Sequence, residues 1–350
     1  MARTNSPPGI WARHFKLEQR RPRGAIFAGL ADLAGGIRLL SLKTTIKIWL
    51  YRLIGLNPRT ERWLDVYLTR RMYRRVFGRE PDLANPVLFS EKITARKLFE
   101  RRPIFTTISD KVLVRDFVTD RIGAQFLTKL HFVGERFEQI DFDRLPDEFV
   151  IKANHGCRWM SIVEDKKAFD RNAAREQFRR WLRDSYHLYS REYMYKNIER
   201  RILVEELLKE SSGAPAIDYK FYVYDSVVRF VLVTRRVGEA RILAFFDRDG
   251  RSHEVRGVSL SSAHRARPLS SQPGLAPTQF PANFEQMAAI ASELGRGFDF
   301  MRVDLYNPGE RILFGEMTPL PTGGVVAYDP PDFDRTLGEP WRLALNGRPA

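Results

Sequence analysis

The sequence predicts a mixed α+β fold, and three observations carry that expectation. Strand-like apolar runs return on themselves as hairpins, capped helical stretches fall between them, and no plain strand–helix–strand series runs through the chain. At 350 residues, with 43% hydrophobic and 12% aromatic content, the chain is globular and can bury one large core or two to three small ones. A single cysteine, Cys157, excludes an intramolecular disulfide framework and any multi-cysteine metal site, and suits a reducing cytoplasm. The start, MARTNSPPGIWARHFKLEQRRPRG, lacks the apolar stretch of a signal peptide, and the charge-free run 24–31 is too short to span a bilayer. The expectation is a protein that is soluble or, at most, peripheral to a membrane.

The net charge of +15 is uneven: residues 1–80 hold 17 Lys/Arg against 5 Asp/Glu, a net of +12, leaving +3 for the rest. Residues 1–58 read as a basic extension. Within it, GIRLLSLKTTIKIWLYRLIGLNP (36–58) places Leu39, Leu42, Ile46, Trp49, Leu50 and Leu53 on one helical face, flanked by Arg38, Lys43, Lys47 and Arg52. Such a helix at 36–54 suits an anionic membrane surface and equally the protein's own body. Nucleic acid is the weaker reading: Arg70-Arg71 and Arg74-Arg75 form a basic patch, but no recognised nucleic-acid module accompanies it.

After Pro103 the elements follow in order. Ser109 is placed to cap a helix, DKVLVRDFVTDRI, that Gly123 ends. EFVIKAN (148–154) is a strand, NHGCRWMS a loop, and IVE a second strand. REQFRRWLRDSYH (175–187) is a helix with a basic face, and RILVEELL (201–208) a buried strand leading into the polar loop SSGAPA. DYKFYVYDSVVRFVLVTRR (218–236) is a hairpin turning at Asp225-Ser226, and HRARPLSSQPGLAPTQFP an irregular loop. NFEQMAAIASELGRG is a helix with Asn283 and Gln286 spaced as a capping box. FDFMRVDLYNPGERILFGEMTP (298–319) closes the series as a hairpin through Asn-Pro-Gly-Glu.

That last hairpin raises the chemical question. Arg302 and Asp304 share one face of the first strand, and Glu316 and Thr318 share one face of the second. Two carboxylates on neighbouring strands repel unless a cation lies between them; a pair of hard oxygen ligands suits Mg²⁺, and an adjacent arginine suits phosphate. The alternative is an exposed polar face with an ordinary Arg–Glu cross-strand pair. The two carboxylates share a face only if the loop is odd in length or a one-residue bulge intervenes, expected at Gly309; both should then lie near Lys152. Lys152 interrupts an apolar strand, Lys111 falls in the first turn of its helix, Lys220 interrupts an aromatic strand, and Glu205-Glu206 close a buried run. Singly each is an amphipathic residue whose head reaches solvent. Together they are the inventory of a nucleotide–Mg²⁺ site.

The ordered set FSEKI (89–93), SDKVLVRDFV (109–118), LPDEFVIKANHG (145–156), YKNI (195–198), LVEELL (203–208), DYKFYVY (218–224) and MRVDLY…ILFGEMT (301–318) resembles the ATP-grasp superfamily. Within it, the resemblance is to the TupA-like branch linked to cell-surface polysaccharide and teichuronopeptide assembly. It covers roughly residues 80–340; no one stretch is specific, but seven in order are. The resemblance implies two α+β subdomains closing over ATP and Mg²⁺, with parts at 59–145, 146–208 and 209–340. It further implies nucleotide contacts at Lys111, Lys152, His155 and Gly156, a hinge for adenine and ribose at Glu205, Glu206 and Leu208, and Asp218 and Lys220 beside ribose and phosphates. Arg302 would hold a phosphate, and Asp304, Glu316 and Thr318 the metal.

Two departures stand out. The phosphate loop, usually His-Gly-Ser-Gly-Gly-Asn, here reads His155-Gly156-Cys157-Arg158-Trp159-Met160, with a bulky tryptophan; and Thr318 replaces the usual metal-binding Asn. Cys157 beside Arg158 and His155 also admits a nucleophile reading, which carboxylate activation by ATP does not need. The implied activity is ATP-dependent carboxylate–amine ligation on a glycan or amino-acid precursor, in the cytoplasm or at the inner membrane face. The rivals are a glycosyltransferase of polysaccharide assembly, which would turn over a sugar nucleotide instead of releasing ADP, and a nucleotide-binding scaffold without turnover.

Overall fold

A computed structural model describes residues 57–237, 240–259, 280–345 and 348–349. All fall in one of the chain's two units, 54–350; the other unit, 1–53, lies outside the described residues. So does the helix expected at 36–54, and so does nearly all of the irregular loop at 264–281.

Helix α1 (Pro58–Phe77) opens where Asn57 accepts a hydrogen bond from the Arg59 backbone N–H at 2.9 Å, and it closes at Gly78 in the left-handed conformation. Helix α2 (Phe89–Phe99) is buried along almost its whole length, including Glu91, Arg96 and Lys97. Helices α3 (Ile104–Ser109) and α4 (Val114–Ile122) follow. Here the sequence expectation needs correction: Ser109 ends α3 instead of capping α4, and Asp110 holds the intervening turn through the N–H groups of Val112 and Leu113. Lys111 therefore sits in that turn, not in a first helical turn, because the Asp110 carboxylate takes those two N–H groups and the helix begins only at Val114.

A four-stranded antiparallel sheet runs in the order β1-β4-β2-β3, from β1 (Leu130–Gly134), β2 (Phe149–Ala153), β3 (Met160–Val163) and β4 (Ile202–Glu206). Alternation along β2 and β4 sends Phe149, Ile151, Ala153, Ile202 and Val204 toward Phe178 of α5 (Arg171–Arg183). The expected 175–187 helix thus starts earlier, at the Asp170 cap, and breaks at Asp184 before the short helix α6 (Tyr186–Ser190). The other face of the sheet carries Lys152 and Glu205.

The larger sheet runs β11-β10-β5-β6-β7-β8. Strands β5 (Asp218–Tyr224) and β6 (Val227–Val237) meet at Asp225-Ser226, both at positive φ, as two-residue hairpin turns require. They are followed by β7 (Ala240–Asp247), β8 (Ser252–His253) and β9 (Arg256–Ser259). Helix α7 (Phe284–Gly295) packs Phe284 on Phe221. Asn283 stands at its N-terminus, but its side chain makes no cap: its amide donates to Asn307 and the Glu310 carbonyl, tying the helix to the hairpin loop. Strands β10 (Phe300–Tyr306) and β11 (Leu313–Thr318) form the charged hairpin; β12 (Val326–Asp329) pairs with β9, helix α8 (Asp332–Gly338) follows, and β13 (Ala344–Leu345) pairs with β14 (Arg348–Pro349). Phe300, Met301, Val303 and Leu305 are fully buried in the large core, each side chain worth about 1.5–3 kcal/mol of burial. Among the described residues no helix is long and apolar enough to cross a membrane.

Candidate active site

The hairpin pairs Arg302 with Thr318, Val303 with Met317 and Asp304 with Glu316, then shifts by one residue so that Leu305 meets Phe314 and Tyr306 meets Leu313. Gly315 is the unmatched residue. The required one-residue bulge is therefore present, but at Gly315 and not at Gly309, and the connection between the last pair is six residues, 307–312. Glycine suits this bulge because a Cβ there would lie 3.0 Å from the Asp304 carbonyl oxygen and 2.9 Å from the Tyr306 ring.

The bulge brings the charges onto one face. Arg302 donates from Nε to Asp304 Oδ1 at 2.6 Å, and from Nη2 to Asp304 Oδ2 at 2.8 Å, Glu316 Oε1 at 2.5 Å and Thr318 Oγ1 at 3.0 Å. The Thr318 hydroxyl donates to Glu316 at 3.0 Å. From β5, Lys220 opposes Asp304 and contacts both it and Asp218 Oδ2, the latter at 2.5 Å. Burial, reinforced by Glu316 opposite, pushes the Asp304 carboxyl above the ordinary range against the pull of Arg302 and Lys220. For Glu316, whose side chain is 49% exposed, burial is outweighed by Arg302, Lys220 and Lys111, which hold it below that range. Burial also lowers Lys220, but Asp304 and Asp218 more than offset it and raise it overall.

A second cluster forms on the small sheet. Glu205, 6% exposed, accepts Lys152 at 2.5 Å, Arg115 at 2.8 Å and Thr128 at 2.9 Å. Burial alone would raise its carboxyl; these three partners lower it. Lys152 is thus paired with Glu205 and makes no direct contact with the hairpin carboxylates. Glu206 turns elsewhere, accepting the Lys129 N–H and Arg311 Nη2, each at 2.8 Å, and so links the small sheet to the hairpin loop. Leu208 lies just past β4, its carbonyl accepting the Ala216 N–H at 3.3 Å.

The loop after β2 connects the two clusters. Lys111 donates to the Gly156 carbonyl at 2.6 Å; burial lowers its ammonium, and Glu316 is the chief group opposing that shift. The imidazole of His155 is engaged at both nitrogens, by Asn154 Oδ1 and the Trp181 carbonyl, and burial pushes it down to about 4. His155 therefore faces the small body, and the Asn154 and Gly156 carbonyls front the Lys111 side. Trp159 folds back: its ring stacks on Trp181 at 6.2 Å and meets Tyr186 edge-on at 5.8 Å. A Cβ on Gly156 would strike that ring at 2.4 Å. Cys157 is exposed, yet desolvation by the loop around it and the nearby Glu316 still raise its thiol, the reverse of an activated nucleophile. Arg115, Thr128 and Arg311 were missed in the sequence because their partners lie 90, 77 and 105 residues away.

Among the described residues no cluster of three or more His, Cys, Asp or Glu forms a metal cage. A paired-carboxylate Mg²⁺ site needs none, since substrate phosphates complete its shell. The Asp218 Oδ1 atom, buried and without a hydrogen-bond partner, is a further acceptor left open beside Lys220. The donor set fits Mg²⁺ and phosphate.

Two antiparallel sheets with helices, joined through a cation-lined loop and a two-carboxylate hairpin, define an ATP-grasp protein. The family described as TupA-like ATPgrasp matches residues 91–342, and the chain belongs to it. Similar solved structures include D-alanine–D-alanine ligase from Bacillus anthracis complexed with ATP, 12% identical, covering 66% of this chain and 57% of that one at a TM-score of 0.38. The ATP-grasp ligase PsnB complexed with minimal precursor is 13% identical over 62% of this chain and 54% of its own, TM-score 0.34. N5-carboxyaminoimidazole ribonucleotide synthetase from Thermus thermophilus is 12% identical over 61% and 45%, TM-score 0.32. The chain thus spans about half the length of these proteins. No curated protein matches the sequence.

Proposed function

We propose that the protein is an ATP-dependent carboxylate–amine ligase acting, in the cytoplasm or at its membrane face, on a glycan or amino-acid precursor of a cell-surface polymer. The observation that carries this reading is the bulged hairpin, which sets Asp304 directly against Glu316 with Arg302 and Lys220 on the same face. In this reading the parts at 59–145, 146–208 and 209–340 enclose ATP. Glu205, Glu206 and Leu208 border the adenine and ribose, and Asp218 lies toward the ribose.

A substrate carboxylate attacks the γ-phosphorus, ADP departs with the electrons of the broken P–O bond, and an amine then displaces phosphate from the acyl phosphate to leave an amide. Lys111, Lys152, Lys220 and Arg302 offset charge on the transferring group, the main electrostatic demand of the first step. Asp304 and Glu316, with Thr318, would hold Mg²⁺, which supplies further neutralisation of phosphate charge. The Gly156 backbone lies along the phosphates, while His155 fixes the loop from beneath.

Asp304→Asn and Glu316→Gln are each expected to abolish Mg²⁺-dependent ADP release with circular dichroism unchanged. Full turnover in both variants would remove the metal assignment. Release of a nucleoside diphosphate from a sugar nucleotide, with ATP untouched, would replace the ligase by a transferase.

A further inference from the structure

A second charged group, apart from the hairpin cluster, converges on the Gly323-Gly324 loop. Lys97 of α2 is 3% exposed, and the one hydrogen bond its ammonium makes among the described residues is a long 3.5 Å donation to the Gly323 carbonyl. Glu192, just past α6, approaches the same point: an ideal Cβ on Gly323 would lie 3.4 Å from Glu192 Oε1 and 3.6 Å from Lys97 Nζ. Gly323, at φ 61, keeps that space open between a carboxylate and an under-bonded buried ammonium. Around Glu192 stand Lys97 from α2, Glu316 from the hairpin, Ser190 and Tyr186 from α6, Tyr195 from the following turn and Cys157 from the loop after β2. Its neighbour Arg191 points away, bonding Asp65. The Glu316 carboxylate is thus within electrostatic reach of the group.

We propose that Glu192 receives the amine substrate, holding it as an ammonium and taking a proton from it so that the nitrogen can attack, with Lys97 keeping the carboxylate charged. The proposal rests on the ligase reading for its chemistry. The ammonium first passes one proton to a Glu192 oxygen, which frees the lone pair; that lone pair forms the C–N bond, the acyl C–O bond breaks with its electrons leaving on phosphate, and the second N–H proton leaves with the departing phosphate. Burial raises the Glu192 carboxyl to about 7 while Lys97 opposes the rise, so the group can both accept and release a proton near neutrality.

Two measurements on the full chain test this. In protein labelled with ¹³C-glutamate, the Glu192 carboxyl signal, identified by its loss in Glu192→Gln, should move saturably with ethylammonium but not with tetramethylammonium, which has no N–H to donate. Lys97→Met should raise its titration midpoint, because a neighbouring cation is removed. No selective shift with ethylammonium overturns the proposal, whatever the catalytic result. In turnover with ATP, Mg²⁺ and D-glucuronate, Glu192→Gln should lower amide formation with ethylamine by about a hundredfold or more. Hydroxylamine, already unprotonated at neutral pH, should rescue the variant as hydroxamate. Equal loss with both nucleophiles makes Glu192 structural and also overturns the proposal. If the wild type forms no hydroxamate, the ligase reading fails, and the ethylammonium shift still decides the amine site.

Discussion

Lys152 illustrates what single residues disclosed and what they concealed. A lysine in an apolar strand asked for an anion, and the sequence offered phosphate; the folded chain supplies Glu205 at 2.5 Å as well. Lys152→Met should weaken ATP binding more than Cys157→Ala does, measured by calorimetric titration, since in the ligase reading it removes a charge facing phosphate, while the exposed thiol is raised away from its reactive form. The opposite order would favour cysteine chemistry. His155 was legible as a loop residue, but its inward orientation depends on Asn154 and Trp181, whose approach is tertiary. Its folded pKa lies below the unfolded value of 6.5, so the stability of neutral His155 is fully present above that pH and is lost as pH falls toward about 4. The loss amounts to about 3 kcal/mol. Urea midpoints at pH 7 and pH 4.5 should show it in the wild type, and His155→Gln should lack that slope.

At the level of elements, alternation and turn chemistry made most strands readable: β2, β4, β5, β6, β10 and β11 lie where period-two patterns placed them. The need for a hairpin irregularity was also readable, because Asp304 and Glu316 cannot share a face in a regular four-residue loop. Its position was not, since the bulge is fixed by contacts across the ladder: Ile312 is 5% exposed and joins the core instead of the ladder. Gly315→Val should collide with the Asp304 carbonyl, cost about 1–3 kcal/mol, and lower Mg²⁺-dependent ADP release, read by melting and nucleotide assays together. Unaltered activity would show that the bulge does not position the carboxylates. Helix α2 was marked in the sequence only by its FSEKI motif, for it is buried on all sides and has no polar stripe to give periodicity.

Across the whole molecule, the sequence separated a basic extension from a nearly neutral body by charge alone. Residues 1–58 carry ten Lys/Arg and two Asp/Glu, a net of +8. Deleting them should lower binding to anionic vesicles in a sedimentation assay while ATP binding persists; an unfolded truncated chain would place the 36–54 helix in the core. Within the body, contacts that span the chain hold α2. Its Arg96 donates to the Phe300 and Pro319 carbonyls, pairs with Asp299 and lies 4.4 Å from the Trp341 ring, and Ser90 bonds Asp334 across 244 residues. Translation therefore imposes a wait. At roughly 5–20 residues per second, the ribosome needs about 12–50 s after making α2 to deliver its partners. Through that interval Phe89 lacks Tyr222, Phe300 and Trp341, the rings it packs against, and its apolar surface waits for them.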